Sequence, residues 1–323
     1  MPQASLPGRR PLGDGELSVR PLCLGGNVFG WTLDEKRSFE VLDAFVDAGF
    51  DFIDTADRYS RWMPGNSGGE SERIIGNWFA ASGKRDRVVL ATKVGHDMGG
   101  DRNGLSARWI RQGVEDSLER LRTDRIDLYQ SHKDDADTPQ EETLRAYDDL
   151  IRAGKVRVIG ASNFSAARLA SALEVARSKG LPRYAMLQPE YNLYSRAEFE
   201  RELQPLCQRE GIGVIPFYGL ASGFLSGKYR KPDDAGKSPR GPGVVEKYLN
   251  PRGLRIVAAQ DEVAARVGAN NAQVAIAWLM AQPTVTAPIV SATDRAQVDD
   301  LAAAARLQLD DEALAALDRA SAP

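Results

Sequence analysis

The stretch RVVLATKVGHDMGGDRNGLSARWIRQGVEDSLERLRTDRIDLYQSH, residues 87–132, decides the fold. It opens with a near-continuous, β-rich apolar run, RVVLATK (87–93), followed by a Gly-rich loop. Residues 106–122 then open on Ser106, a good cap residue. They carry Trp109, Val114, Leu118 and Leu121 at helical spacing, with Leu105 just ahead. A second apolar run, RIDLYQS (125–131), comes next. The order strand, helix, strand, with runs that are continuous rather than alternating, predicts parallel strands buried on both faces.

The same unit recurs on either side. RPLCL (20–24) and FDFID (50–54) precede it; VRVIGAS (156–162), AMLQPE (185–190), IGVIPF (212–217) and VTAPIV (285–290) follow, making eight runs. Between them, 138–153 opens with Thr138 as cap and Pro139 in the first helical position. It has Gln140, Glu141 and Glu142 in its first turn and stops at Gly154. Residues 165–179 run in the same way from Ser165 to Gly180. Eight strands alternating with helices form either a doubly wound sheet or a closed barrel. The number eight favours a (β/α)8 TIM barrel. The stretch GGNVFG after the first run does not match the dinucleotide fingerprint G-x-G-x-x-G, and no phosphate-loop motif is present.

No polar linker splits the chain, so residues 1–323 read as one α/β domain. Three parts exceed a minimal barrel. LPGRRPLGDGELS (6–18), with its Asp14-Gly15 turn, predicts an N-terminal hairpin that closes the barrel bottom. Residues 219–252, rich in Gly, Pro, Lys and Arg, predict a long unstructured loop after strand seven, serving as a binding loop or lid. Residues 310–320 predict an extra C-terminal helix packed outside.

Composition removes several classes of function. Lys and Arg number 42 against 45 Asp and Glu, a net charge of −3, so neither a nucleic acid nor an anionic membrane is the expected partner. Two Cys and two His can build neither a disulfide framework nor a structural zinc site, and no metal is expected. The longest apolar stretch, Val274 to Ala281, is far short of the ~20 residues needed to span a bilayer. MPQASLPGRR has basic residues with no apolar core after them, unlike a secretory signal. The expected location is the cytoplasm.

In barrel enzymes the chemistry sits where strands end. Here the ends deliver Asp54, Lys93 and His132, each 39 residues from the last, with Tyr59 just beyond Asp54 in DTADRY. A single such residue is ordinarily solvated or plainly ion-paired; three on successive units are expected to converge on one rim. A buried Lys93 needs a counter-charge, which Asp54 on the neighbouring strand supplies. A cation beside Tyr59 would lower its pKa from about 10 and suit it to donate a proton to an oxygen. A neutral His132 can orient that oxygen. The set supplies no hydride, so carbonyl reduction requires a cofactor. His96, in its Gly-rich loop, receives no functional reading.

With those residues in place the sequence resembles the aldo-keto reductase superfamily. The branch is the one that includes bacterial general reductases and potassium-channel β subunits. The resemblance rests on LCLGGNVFG, DTADRY, VVLATKVG, IDLYQSH, IGASNFS, QPEYNLYSR and GLASGFLSGKYR after IPFY, in that order along nearly the whole chain. It implies a barrel that binds NADPH, with NADH as the alternative, and reduces an aldehyde or ketone reversibly. Tyr59 would be the general acid, tuned by Lys93, which Asp54 anchors, with His132 orienting the carbonyl. Ser162, Asn163 and Gln188 would bond the nicotinamide carboxamide, Phe217 would stack on the ring, and Gly26 and Asn27 would lie near the ribose. Tyr218, Leu220 and Lys228 would cover the pyrophosphate. Ser291, Thr293, Arg295 and Gln297 would hold the adenosine end, Thr293 and Arg295 taking a 2′-phosphate. Against the family pattern, Phe217 stands for a Tyr, Ser291 for a Gly, Leu301 for an Asn and Asn27 for a Thr. Trp31, Trp62 and Met63 lie in loops beyond the first two strand ends, where such residues either line a substrate pocket or pack the loops down, and the loop 60–71 is the expected selector of a small carbonyl compound. Two other functions are open. One is a cofactor-binding sensor or partner subunit with weak turnover, and the other is redox-neutral chemistry on a sugar. No feature of the sequence sets an oligomeric state.

Overall fold

A computed structural model describes residues 6–13 and 17–323. Eight parallel strands form the barrel. They are β3 (Cys23–Gly25), β4 (Phe52–Asp54), β5 (Val89–Val94), β6 (Ile126–Ser131), β7 (Val156–Ser162), β8 (Met186–Gln188), β9 (Gly213–Val214) and β10 (Ile289–Val290). From β3 to β9 each strand pairs with the next in chain order, and β10 pairs with β3. The remaining seam, between β9 and the approach to β10, is closed by parallel bonds: Val214 N to Thr284 O and Thr286 N to Val214 O. All eight runs predicted from the sequence are strands.

The helices α1 (Glu35–Asp47), α2 (Glu70–Ser82), α3 (Ala107–Leu121), α4 (Gln140–Arg152), α5 (Ala166–Lys179) and α6 (Gln204–Glu210) alternate with these strands. After β9 come α7 (Gly241–Tyr248), α8 (Pro251–Val267) and α9 (Asn271–Ala281), then α10 (Arg295–Arg306) and α11 (Asp311–Ser321) after β10. Ser106 and Ser165 cap α3 and α5 through their side chains, as predicted. Thr138 does not cap α4. Its hydroxyl donates to Asp135 at 2.7 Å, and the cap position falls to Pro139, whose carbonyl takes the first helical bonds.

The interior of the barrel is a separate apolar layer. Cys23, Phe52, Ala91, Leu128, Val158, Met186, Ile215 and Ile289, one from each strand or its continuation, pack there with Leu12, Leu17 and Val19. The last three come from an antiparallel pair, β1 (Arg10–Leu12) and β2 (Leu17–Val19). The hairpin therefore plugs the barrel floor as predicted; its Asp14-Gly15 turn lies outside the described residues. Arg10 ties it down by donating to the carbonyls of Val285 (2.7 Å) and Met280 (2.9 Å).

The segment 219–252 is not the unstructured loop its composition predicts. It folds into short turns at Ala221–Ser226 and Pro232–Lys237 and then α7. Phe224, Leu225, Tyr229, Val244 and Tyr248 are buried, and Phe224 stacks on Tyr248 with ring centroids 5.6 Å apart. Five apolar anchors spaced through a polar stretch supply enough burial to fix it. The predicted C-terminal helix is α11; it packs on the barrel exterior, where Asp318 accepts from the Trp278 indole at 3.0 Å.

Candidate active site

Side chains along a strand alternate, so the residue two steps beyond each interior apolar one also points inward, one layer nearer the strand ends. From Phe52, Ala91, Leu128 and Met186 that step reaches Asp54, Lys93, Gln130 and Gln188. The apolar floor and the polar layer above it are thus consequences of one period. The polar layer bonds to itself. Lys93 Nζ donates to Asp54 Oδ2 at 2.5 Å and to the Thr55 carbonyl at 2.7 Å. Gln130 and Gln188 each donate through Nε2 to Asp54 Oδ1 at 3.0 Å. Asp54 and Lys93 are completely buried, and these four bonds satisfy them.

The loop after β4 turns Tyr59 over this layer. Its hydroxyl lies 3.1 Å from Lys93 Nζ. The His132 ring stands edge-on to the Tyr59 ring, with centroids 6.0 Å apart. The structure therefore brings Asp54, Tyr59, Lys93 and His132 together. Burial opposes the Lys93 ammonium, but Asp54 and Tyr59 outweigh it, and its pKa lies above the ordinary lysine value. The expected lowering of the tyrosine pKa is not found. Burial raises it, Lys93 pulls it down and Asp54 pushes it back up, with a net shift upward. The reason is that Lys93 arrives already neutralised by Asp54, which leaves desolvation of the phenolate dominant.

His132 is held neutral by burial and by the cations Lys93 and Arg58, well below the usual histidine pKa. His96, passed over in the sequence, is part of this site. Its ring meets His132 edge-on at 4.3 Å, and its Nδ1 lies 3.1 Å from the Arg58 guanidinium. Burial and Arg58 bring its pKa down to about 4. Gln130 was also missed, although its parity with Leu128 in RIDLYQS signals it.

The residues expected to hold the nicotinamide form a connected edge. Ser162 Oγ donates to the Gln188 carbonyl at 2.9 Å, and Asn163 Nδ2 donates to the His132 carbonyl at 2.9 Å. The amide donors of Asn163 and Gln188 are thus used internally, and their amide oxygens make no hydrogen bond among the described residues. Asn163 is exposed and Phe217 half-buried, leaving an amide and a ring face for a flat ligand. Tyr218 is exposed, its carbonyl held by Asn192 Nδ2 at 3.0 Å. Leu220 packs on the outer core, whereas the exposed Lys228 ammonium has no carboxylate partner among the described residues. An exposed cation, a free amide oxygen and an open ring fit a nicotinamide dinucleotide.

At the other end Ser291 Oγ lies within hydrogen-bond distance of both the Gly25 carbonyl (2.8 Å) and Asn27 Oδ1 (2.6 Å), its single proton shared between them. Gly26 has no room for a side chain: a Cβ there would lie 2.8 Å from Ser71 Oγ. Gln297 bonds Thr293 and Asp294, organising the first turn of α10, and Arg295 is exposed beside them. Leu301 faces the core, not the surface. Trp31 and Trp62 meet at 5.7 Å, and Trp62 meets Tyr59 at 5.6 Å. Met63 is half-buried, its backbone tied in through turns with Ser60 and Asn66. Among the described residues no group of three His, Cys, Asp or Glu is placed to hold a metal, and no helix is long and apolar enough to cross a membrane.

The model of the aldo/keto reductase family matches residues 21–322. An uncharacterized oxidoreductase of Bacillus subtilis (strain 168) is 38% identical over 95% of this chain and 94% of its own length. A probable voltage-gated potassium channel subunit beta of Oryza sativa subsp. japonica is 36% identical over 89% of this chain and 88% of its own. Versiconal hemiacetal acetate reductase of Aspergillus parasiticus is 32% identical over 97% and 96%. Matched from its first barrel strand to its last helix, the chain belongs to the aldo/keto reductase family, oxidoreductases that act on carbonyl groups with a nicotinamide cofactor.

Proposed function

We propose that this protein reduces an aldehyde or ketone to its alcohol, reversibly, with NADPH as the preferred cofactor and Tyr59 as proton donor. The observation that carries this reading is the Tyr59 hydroxyl 3.1 Å from an ammonium that is itself locked to Asp54. Bound NADPH supplies the hydride to the carbonyl carbon and is oxidised to NADP+. Tyr59 gives its proton to the carbonyl oxygen, Lys93 steadies the phenolate left behind, and solvent returns the proton. His132, neutral, donates to the carbonyl oxygen or accepts from the product hydroxyl without competing for the proton. Phe217, Ser162, Asn163 and Gln188 hold the nicotinamide, and Gly26 and Asn27 lie by the ribose. Tyr218, Leu220 and Lys228 cover the pyrophosphate, and Ser291, Thr293, Arg295 and Gln297 hold the adenosine end, Thr293 and Arg295 taking the 2′-phosphate. Trp31, Trp62 and Met63 line the carbonyl pocket.

Fluorescence titration with NADPH and NADH, followed by NADPH oxidation over a panel of aldehydes and ketones, tests this reading. Saturable NADPH binding with carbonyl-dependent oxidation is expected; binding of neither nucleotide overturns it. The similarity to a channel subunit favours a second reading, a cofactor-sensing partner subunit. Stable co-purification with a membrane protein, with turnover at background on every carbonyl, would support that one instead.

A further inference from the structure

Among the described residues nothing bonds to the His132 ring, and its Nδ1 is sealed from solvent without a partner. Only the backbone is tied: its N–H donates to the Val94 carbonyl at 2.8 Å, and its carbonyl accepts from Asn163 Nδ2 at 2.9 Å. A histidine that orients a ligand ordinarily has its ring fixed by a bond to the nitrogen facing away from that ligand. The last torsion of a histidine is broad, so an unbonded ring is free to flip unless packing stops it. Here the packing comes from Tyr59, with ring centroids 6.0 Å apart, and more closely from His96, at 4.3 Å and 85°.

His96 is fixed in turn. The chain leaves β5 through Gly95 at φ +115, a backbone conformation that other residues rarely adopt, and His96 comes next. A guanidinium can only donate, so the Arg58 contact at 3.1 Å makes His96 Nδ1 the acceptor and puts the proton of the neutral ring on Nε2. That contact is the only side-chain bond of Arg58 among the described residues, and Arg58 Nε is buried without a partner. The charged groups facing the two rings are Arg58 from the loop after β4, Lys93 from β5, Lys133 after β6 and, for His96, Asp97. Burial and the three cations keep both rings uncharged, so they pack without repulsion. From this chain of contacts we infer that Arg58 and His96 are positioning residues. Arg58 sets the tautomer and place of His96, and the His96 ring holds the His132 ring with Nε2 towards the carbonyl oxygen. The substrate end of this inference rests on the reductase reading; the contacts among the three side chains do not.

The chain has two histidines, so histidine labelled with 15N in the ring gives two ring systems, and His96→Phe assigns them. Spectra are recorded on the full chain, alone and saturated with NADP+, for wild type, Arg58→Met, His96→Ala and His96→Phe. In the wild type His96 should carry its proton on Nε2, and His132 should show one tautomer. Arg58→Met should abolish the His96 preference. In His96→Ala the His132 ring should average its tautomers and, with water admitted beside it, titrate nearer 6.5; His96→Phe, which keeps a ring, should restore the wild-type pattern. In the same variants kcat should fall by about tenfold to 10²-fold in His96→Ala, recover in His96→Phe, and leave NADPH affinity unchanged. Arg58→Met should lower kcat in the wild type and add nothing to His96→Ala. A His132 ring unchanged by His96→Ala, a His96→Phe that behaves like His96→Ala, or an Arg58→Met that leaves the His96 tautomer in place overturns the inference. The last of these needs no change of ring and decides the matter should His96→Ala fail to fold. Ring spectra that respond as described in a protein binding no nucleotide would uphold the three-residue arrangement while removing the reductase reading.

Discussion

The Lys93 ammonium sits 2.5 Å from the Asp54 carboxylate with both side chains sealed from solvent. Among the described residues each is the other's only opposite charge in direct contact, and Asp54 also organises two glutamine amides. Removing one partner leaves the other charge buried and unpaired, which typically costs about 3–5 kcal/mol. Lys93→Met should therefore lower stability by that order as well as turnover. Asp54→Asn added to Lys93→Met should recover part of the stability and none of the turnover. Denaturant midpoints of the wild type and the two variants check this; full stability in Lys93→Met would contradict the buried pair.

Both histidines of the rim should be visible in the acid limb of stability. His96 titrates at about 4 in the folded protein against 6.5 for the free residue. His132 is lowered as well. The unfolded chain then binds more protons than the folded one as the pH falls between these values, so stability is fully present above about 6.5 and is lost towards about 4. Urea midpoints across that range, compared between wild type and His96→Gln, should show a shallower decline in the variant. Parallel declines would mean that His96 is not shielded as described.

Asp294 caps α10 by accepting from the Gln297 backbone N–H at 2.9 Å, so a carboxylate stands next to Thr293 and Arg295. That charge opposes the 2′-phosphate proposed for this spot. Asp294→Ser keeps a capping oxygen and removes the charge. NADPH affinity should rise several-fold relative to NADH, of the order of one screened charge interaction at a surface. Fluorescence titration of both nucleotides measures it, and an unchanged ratio would place the phosphate elsewhere.

How much of this was legible depended on periodicity. The eight strands follow from apolar runs alternating with amphipathic helical segments, Asp54 and Lys93 from their place at strand ends, Gln188 from the family resemblance, and the hairpin from a turn between short runs; the inward parity that Asp54, Lys93 and Gln188 share with Phe52, Ala91 and Met186 emerges in the structure. Gln130 obeys the same parity, but it ends no strand and so escaped attention. His96 could not be found this way, because a Gly-rich loop has no period and only tertiary folding sets its ring against His132. The turns and helix within 219–252 were hidden because Phe224, Tyr229 and Tyr248 are too far apart to form a local pattern. The direction of the tyrosine shift depended on a balance between burial and Lys93 that residue identities do not contain.

The central claim is that Tyr59 delivers the proton. Tyr59→Phe removes one oxygen and keeps the ring against Trp62. The measurement is kcat for carbonyl reduction alongside the NADPH dissociation constant, in wild type and variant. The account predicts a fall in kcat of about 10²- to 10⁴-fold, the usual worth of a general acid, with NADPH affinity within about twofold. A variant that turns over at the wild-type rate would contradict it.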